Sequence, residues 1–114
     1  MTVQEIVNAL GLEIVAGADR LDQEITGGYA SDLLSCVMAG AQAGNAWVTL
    51  QAHLNVVAVA ALLELACVII TEGARPDSDS IARANEEGVP ILLTRESTFT
   101  VVGKLHQLGV RGPQ

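Results

Sequence analysis

Cys67-Val68-Ile69-Ile70-Thr71 carries no polar side chain until its last residue. Ala46-Trp47-Val48-Thr49-Leu50 before it and Pro90-Ile91-Leu92-Leu93-Thr94 after it repeat the pattern, each about one strand–helix unit away. A short strand that is apolar at every position has both faces buried, the condition of a parallel sheet covered by helices on each side. The intervening segments supply those helices: Leu54 to Ala66, roughly Ser78 to Glu87 closed by Gly88, and Ser97 to about Gln107. Thr49, Thr71 and Thr94 occupy equivalent places in this quasi-repeat. Its crossovers should be right-handed. The expected fold class is α/β: a three-layer α/β/α sandwich with a mostly parallel central sheet of four to five strands.

The first third is less regular. Thr2-Val3-Gln4-Glu5 has the form of a capping box, and Val3, Ile6, Val7 and Leu10 follow as one apolar stripe ended by Gly11. Leu12 to Ala16 reads as a short strand, followed by the acidic turn Gly17-Ala18-Asp19-Arg20. Glu24 to Tyr29 is an extended piece whose pair Gly27-Gly28 permits positive φ or a close backbone approach. Ser31 or Asp32 is placed as the cap of a helix carrying Leu33, Leu34, Val37, Met38 and Ala41. Ser35 and Cys36 are expected on that helix's core side, with Cys36 and Cys67 as buried thiols. A disulfide between them is possible but unneeded with this much core. Residues 1–110 form one domain, and Arg111 to Gln114 a flexible tail.

Composition removes several functions. Half of the 114 residues are hydrophobic, 17% are charged, and only 3% are aromatic. Mean hydropathy is +0.40, which excludes intrinsic disorder. Six basic residues stand against thirteen acidic ones, for a net charge of −7. No basic face exists to neutralise phosphates, so nucleic acid is excluded as a general partner, and an anionic membrane surface is a poor one. The apolar run from Leu54 to Ile70 contains Asn55 and Glu64 and falls short of the roughly 20 residues of a membrane span. Met1 to Glu5 offers no basic n-region or signal core, and a cytoplasmic location is expected.

Catalytic patterns are missing. No phosphate loop, no dinucleotide-binding glycine triplet and no nucleophile elbow occurs, and His53 and His106 lack metal-ligand spacing. No acid–base–nucleophile set assembles, so no enzyme, no metal and no cofactor is expected. Asp77-Ser78-Asp79 reads as a helix cap and Glu86-Glu87 as a solvated face. In open parallel sheets ligands bind beyond the strands' carboxyl ends, near helix N-termini. That rule selects Gln51, His53 and Asn55 after one strand, Thr71, Glu72, Gly73 and Arg75 after the next, and Thr94, Arg95, Ser97 and Thr98 after the last. Two of the six basic side chains, Arg75 and Arg95, fall on this edge, which suits a small anion. A purely structural reading pairs Arg75 with Asp77 or Glu72 and Arg95 with Glu72 or Glu96.

The segment 54–66 carries a second inference. Asn55 and Glu64 fall on opposite faces at about 100° per residue, and everything between them is Val, Ala or Leu. A helix apolar all round needs more than one covering partner. Ala58, Ala60 and Ala61 allow close approach, so self-association is expected.

Thr26-Gly27-Gly28 followed by Ser31-Asp32-Leu33-Leu34-Ser35-Cys36-Val37-Met38 resembles the opening of the DRTGG domain family. His53 to Ala60, Ile69-Ile70-Thr71-Glu72-Gly73 with Arg75-Pro76, Gly88-Val89-Pro90-Ile91 and Ser97-Thr98-Phe99-Thr100 resemble its later segments in order. The likeness covers residues 24–106. Glu24-Ile25 stands where the name-giving motif has Asp-Arg, and Ser31 where Gly is usual, so no role of that arginine carries over. The resemblance implies a fold similar to the N-terminal domain of HPr kinase/phosphorylase. It also implies a regulatory or dimerising accessory role, with CBS-type regulatory proteins or a partner enzyme as associates. The expected function is therefore a non-enzymatic, homodimeric regulatory or assembly module that takes a small anionic ligand. The alternative is a sensor that binds a nucleotide or phosphorylated metabolite at the carboxyl edge. Thr26, Gly27, Gly28 and Asp32 are expected to set backbone geometry.

Overall fold

In the computed structural model, which describes residues 1–113, the chain begins with the helix that Thr2 and Glu5 specify. The Glu5 amide donates to Thr2 Oγ1 and the Thr2 amide to Glu5 Oε1, each at 3.2 Å, and α1 runs over Val3–Leu10. Gly11, at φ 66°, ends it. There follow β1 (Glu13–Ala16), a 3-10 turn (Ala18–Arg20), β2 (Gly27–Ala30), α2 (Leu34–Gly40) and β3 (Asn45–Thr49). Then come α3 (Leu54–Leu62), β4 (Cys67–Ile70), α4 (Ser78–Glu87), β5 (Ile91–Leu93) and α5 (Thr98–Gln107).

The five strands form one sheet in the order β1-β5-β4-β3-β2. The β2–β3, β3–β4 and β4–β5 pairs are parallel, and β1 joins β5 antiparallel at the edge. Every residue of β3, β4 and β5 is buried. Because strand side chains alternate, each strand feeds two cores. On one face Val48, Ile69 and Leu92 meet Ile6 of α1 and Val101 and Leu105 of α5. On the other, Trp47, Val68 and Ile91 belong to the core that holds Val37 of α2, Val56 of α3 and Ala84 of α4. The sandwich is thus three-layered, with a five-stranded, mostly parallel sheet. No helix among the described residues is long and apolar enough to cross a membrane.

Two local expectations in this part of the chain are corrected. Cys36 and Ser35 are exposed rather than turned to the core. Helix α2 is only seven residues long and touches the edge strand β2, so Val37 alone is buried in it. Both cysteines are free, and burial pushes the Cys67 thiol up to about 12. Neither Ser31 nor Asp32 caps α2 in the usual way: Leu33 occupies the cap position without a side-chain bond, and Ser31 Oγ accepts only the Leu33 amide, at 3.1 Å.

Helix α3 is shorter than its apolar run. Glu64 sits in the turn beyond it at φ 56°, where the Leu65 amide reaches back to the Ala60 carbonyl (3.0 Å). Glu64 therefore shares no helix face with Asn55. The sheet side of α3 buries Val56, Val57 and Ala60, its flanks meet α2 and α4, and Leu54, Ala58 and Leu62 are left exposed. Finally, the expected tail starts from an anchored residue: the Gly28 amide donates to the Arg111 carbonyl at 2.8 Å. Of that tail, Gln114 lies outside the described residues.

Gly17 and Gly11 both adopt left-handed backbone, at φ 70° and 66°, but only Gly17 is walled in, by the backbone of Val89 and Pro90. Gly11→Ala should cost about 1 kcal/mol of stability, the penalty of left-handed backbone for an L-residue. Gly17→Ala should cost clearly more, because a Cβ there strikes the β5 approach. Urea denaturation of both variants measures this; equal losses would contradict it.

Candidate functional site

The three threonines at the strand ends each tie their hydroxyl into the fold. The Thr49 hydroxyl donates to Asp32 Oδ1 at 2.8 Å and accepts the Gln51 amide at 3.1 Å. Asp32 Oδ1 also takes the Leu50 amide at 2.8 Å, so this carboxylate closes the β2-to-β3 edge instead of capping a helix. Thr94 Oγ1 accepts the Glu96 amide at 3.2 Å, the same two-residue turn as at Thr49. Thr71 departs from the repeat: its buried hydroxyl lies 2.6 Å from Thr98 Oγ1 and 3.3 Å from the Thr49 carbonyl.

Helix N-termini attract anions because their first amides are unpaired. Here the chain fills them itself. Glu72, held at φ 63°, places Oε2 3.0 Å from the Thr98 amide at the start of α5, and Ser97 Oγ takes the Thr100 amide at 3.2 Å. At α4, Asp77 Oδ1 accepts the Ser80 amide at 2.8 Å. That hydrogen bond, foremost, holds the Asp77 carboxyl below its ordinary range. At α3, His53 Nδ1 accepts the Asn55 amide at 3.1 Å. The loop after β4 is equally occupied: the Glu72 amide goes to the Glu96 carbonyl and the Gly73 amide to the Thr94 carbonyl. None of these amides is left for a phosphate.

What remains open is a cleft of ≈ 280 Å³ between the β1 edge and the ends of β4 and β5. Gly73, Arg75, Thr94 and Arg95 line it, together with Gly11, Glu13, Ala74 and Leu93. Arg75 grips Glu13 through two parallel bonds, Nη1 to Oε1 at 3.1 Å and Nη2 to Oε2 at 3.0 Å. The pairing lowers the Glu13 carboxyl and raises the Arg75 guanidinium from their ordinary values. Neither Asp77 nor Glu72 is the partner that adjacency along the chain suggests. Arg95 is exposed and, among the described residues, makes no hydrogen bond or ion pair; Glu96 pairs with Lys104 instead, at 2.8 Å.

The carboxyl-edge residues therefore divide. Gln51, His53 and Asn55 line a separate shallow cleft with Leu34 and Val56. Thr71, Glu72, Ser97 and Thr98 are joined to one another or to their own helix. The sequence reading missed Gly11 and Glu13, because β1 is antiparallel and brings its amino-terminal end to the carboxyl edge of its neighbours. Among the described residues no three His, Cys, Asp or Glu side chains gather as a metal site would require.

With the fold and this edge in hand, the chain can be compared with known proteins. The family model described as the DRTGG domain matches residues 5–108. The chain belongs to the DRTGG domain family. No curated protein matches it by sequence. Among solved structures it is similar to the CBS and DRTGG domains of the regulatory region of Clostridium perfringens pyrophosphatase, complexed with the activator diadenosine tetraphosphate. The TM-score is 0.76 at 16% identity, over 93% of this chain and 46% of that one. The chain thus spans less than half the length of that structure, and at this identity the likeness is one of fold.

The residues of the DRTGG-like motif act on the backbone. Thr26 donates its hydroxyl to the Ala43 carbonyl at 2.9 Å and accepts Asn45 Nδ2 at 3.3 Å, tying β2 to the entry of β3. Gly27 and Gly28 do not have positive φ. A Cβ at Gly27 would stand 2.8 Å from the Arg111 carbonyl oxygen, and one at Gly28 would stand 3.2 Å from Val110 Cγ1. Close approach of the C-terminal segment is what the pair allows. At the departed positions of this DRTGG domain, Glu24 Oε2 binds the Met1 ammonium at 2.9 Å, and Ile25 packs on the α1–α5 core.

Asp77 gives a pH test. A carboxyl whose folded pKa is depressed stabilises the fold above its unfolded pKa, and the gain is lost as pH falls through the folded value. Asp77→Asn keeps the capping oxygen and removes the charge. The variant should be less stable than wild type at pH 7, and the gap should close as pH falls below the carboxylate range. Urea midpoints from pH 7 to pH 3 check this; a gap independent of pH would contradict it.

Proposed function

We propose that this DRTGG domain is a cytoplasmic, non-enzymatic regulatory module that binds a nucleotide or phosphorylated small molecule at the carboxyl edge of its sheet. The observation that carries the reading is the pair Arg75 and Arg95 on one cleft, in a chain of net charge −7. Arginine is the side chain best shaped for phosphate, since its planar fork matches two oxygens at once. Arg95 has its donors free, and the threonine and glycine walls leave room for a polar ligand. The similar pyrophosphatase region, a regulatory one complexed with a dinucleotide activator, supports the same class of ligand and a CBS-type or enzyme partner. On this reading Gly73, Arg75, Thr94 and Arg95 form the working part of the edge, and His53 and Asn55 lie outside it.

Thermal-shift measurements with adenine nucleotides and phosphorylated metabolites should show stabilisation by at least one phosphorylated compound. Arg95→Ala should weaken that binding about tenfold or more, the worth of a charge-assisted hydrogen bond. Failure of every phosphorylated compound to raise Tm would sink the ligand-binding reading.

Homodimerisation belongs to the same proposal. It is supported by Leu54, Ala58 and Leu62, which recur every fourth residue on α3 and stay exposed, Leu62 at 68%. Light scattering at micromolar concentration should give twice the chain mass, and Leu62→Glu should halve it; a wild-type mass of one chain would contradict the dimer.

A further inference from the structure

We infer that Glu13 is a built-in competitor for the cleft: its carboxylate occupies Arg75 as two phosphoryl oxygens would, and a bound polyphosphate takes its place. This deepens the ligand-binding reading above and rests on it. The Arg75–Glu13 contact has the two-bond geometry, at 3.0 and 3.1 Å, that a guanidinium forms with a phosphate. It joins the antiparallel edge strand β1 to the loop after β4 across 62 residues of sequence. Both side chains are more than half exposed, so water and salt screen the pair and its exchange for another anion costs little.

The remaining lining points to what the exchange partner is. Arg95 stands unpaired beside the pair. With Arg75 released, the cleft presents two guanidinium groups, and a bound anion takes over at Arg75 the charge that Glu13 supplied. An anion with one charge gains only Arg95 and leaves Glu13 where it is. A di- or triphosphate has charge enough for both arginines. The walls are Gly11, Gly73, Ala74, Thr94 and Leu93, and no aromatic ring is among them. Cβ atoms added at Gly11 or Gly73 would meet nothing within 4 Å, so the cleft is wide there and offers no flat surface on which a base could stack. The site therefore reads a phosphate chain rather than a nucleobase.

Once displaced, Glu13 loses its one ion pair among the described residues. Occupancy of the cleft is thereby coupled to the edge strand β1.

Isothermal titration with inorganic triphosphate tests this on the full chain, with adenosine as the base-only control. Wild type should bind triphosphate and not adenosine. Glu13→Gln, which keeps the shape and removes the charge, should bind triphosphate about fivefold tighter, at the low end of couplings between sites. Glu13→Ala should do the same, and Arg75→Ala should weaken binding and abolish the Glu13 effect. If Arg95→Ala weakens triphosphate binding but both Glu13 variants bind as wild type does, the competitor is overturned and the anion site stands. If triphosphate binds to no variant while a nucleotide does, the phosphate-chain reading is overturned. If neither triphosphate nor any nucleotide binds, the anion site itself falls.

Discussion

Twelve consecutive-strand residues, those of β3, β4 and β5, are buried without exception, and water must be kept from both of their faces. That requirement shapes the rest of the molecule. Parallel neighbours need long crossovers, the crossovers become helices, and helices on both faces leave only the strand ends for polar chemistry. The near absence of aromatic residues adds to it. Trp47, fully buried with its indole N–H donating to the Ser31 carbonyl at 2.9 Å, is the one large ring in the core. Small aliphatic side chains fill the remainder, which suits short strands and short helices packed closely.

The carboxyl edge then becomes a question of which polar groups are already committed. Asp32, Glu72 and Asp77 each place a carboxylate on backbone amides of the chain itself, at the β3 end, the α5 start and the α4 start. An acidic chain can supply such internal anions freely, and each removes a place where an external one would sit. The unmatched resource is the opposite charge. Arg83, Lys104 and Arg111 are occupied on their own helices or segments, Arg20 lies beside Gly88 away from this edge, and Arg75 and Arg95 share one cleft, the first of them paired with Glu13.

The strands, their order of appearance and the layering were legible because full burial writes itself as an unbroken apolar run. Helix starts with a side-chain signature, at Thr2, Asp77 and Ser97, were legible for the same local reason. The failures have a common cause in tertiary placement. Cys36 and Ser35 look core-facing by spacing, yet α2 is too short to cover two neighbouring strands. The run 54–66 looks like one helix, yet Glu64 adopts left-handed backbone and ends it early. Glu13 is invisible as a site residue in the sequence because its partner Arg75 lies 62 positions away and Glu13 reaches this edge only through the antiparallel pairing of β1 with β5. By sequence Gly27-Gly28 allows either positive φ or close approach, and the nearness of Arg111 and Val110 selects close approach.

The central claim is that the cleft between β1, β4 and β5 is where this DRTGG domain meets an anion. Amide resonances of the isotopically labelled protein, followed while inorganic triphosphate is added, test it most directly. The account predicts that shifts concentrate at Gly11, Glu13, Gly73, Ala74, Arg75 and Arg95, while Gln51, His53 and Asn55 stay in place. Shifts confined to the Gln51–Asn55 loop, or no shifts at all, would contradict it.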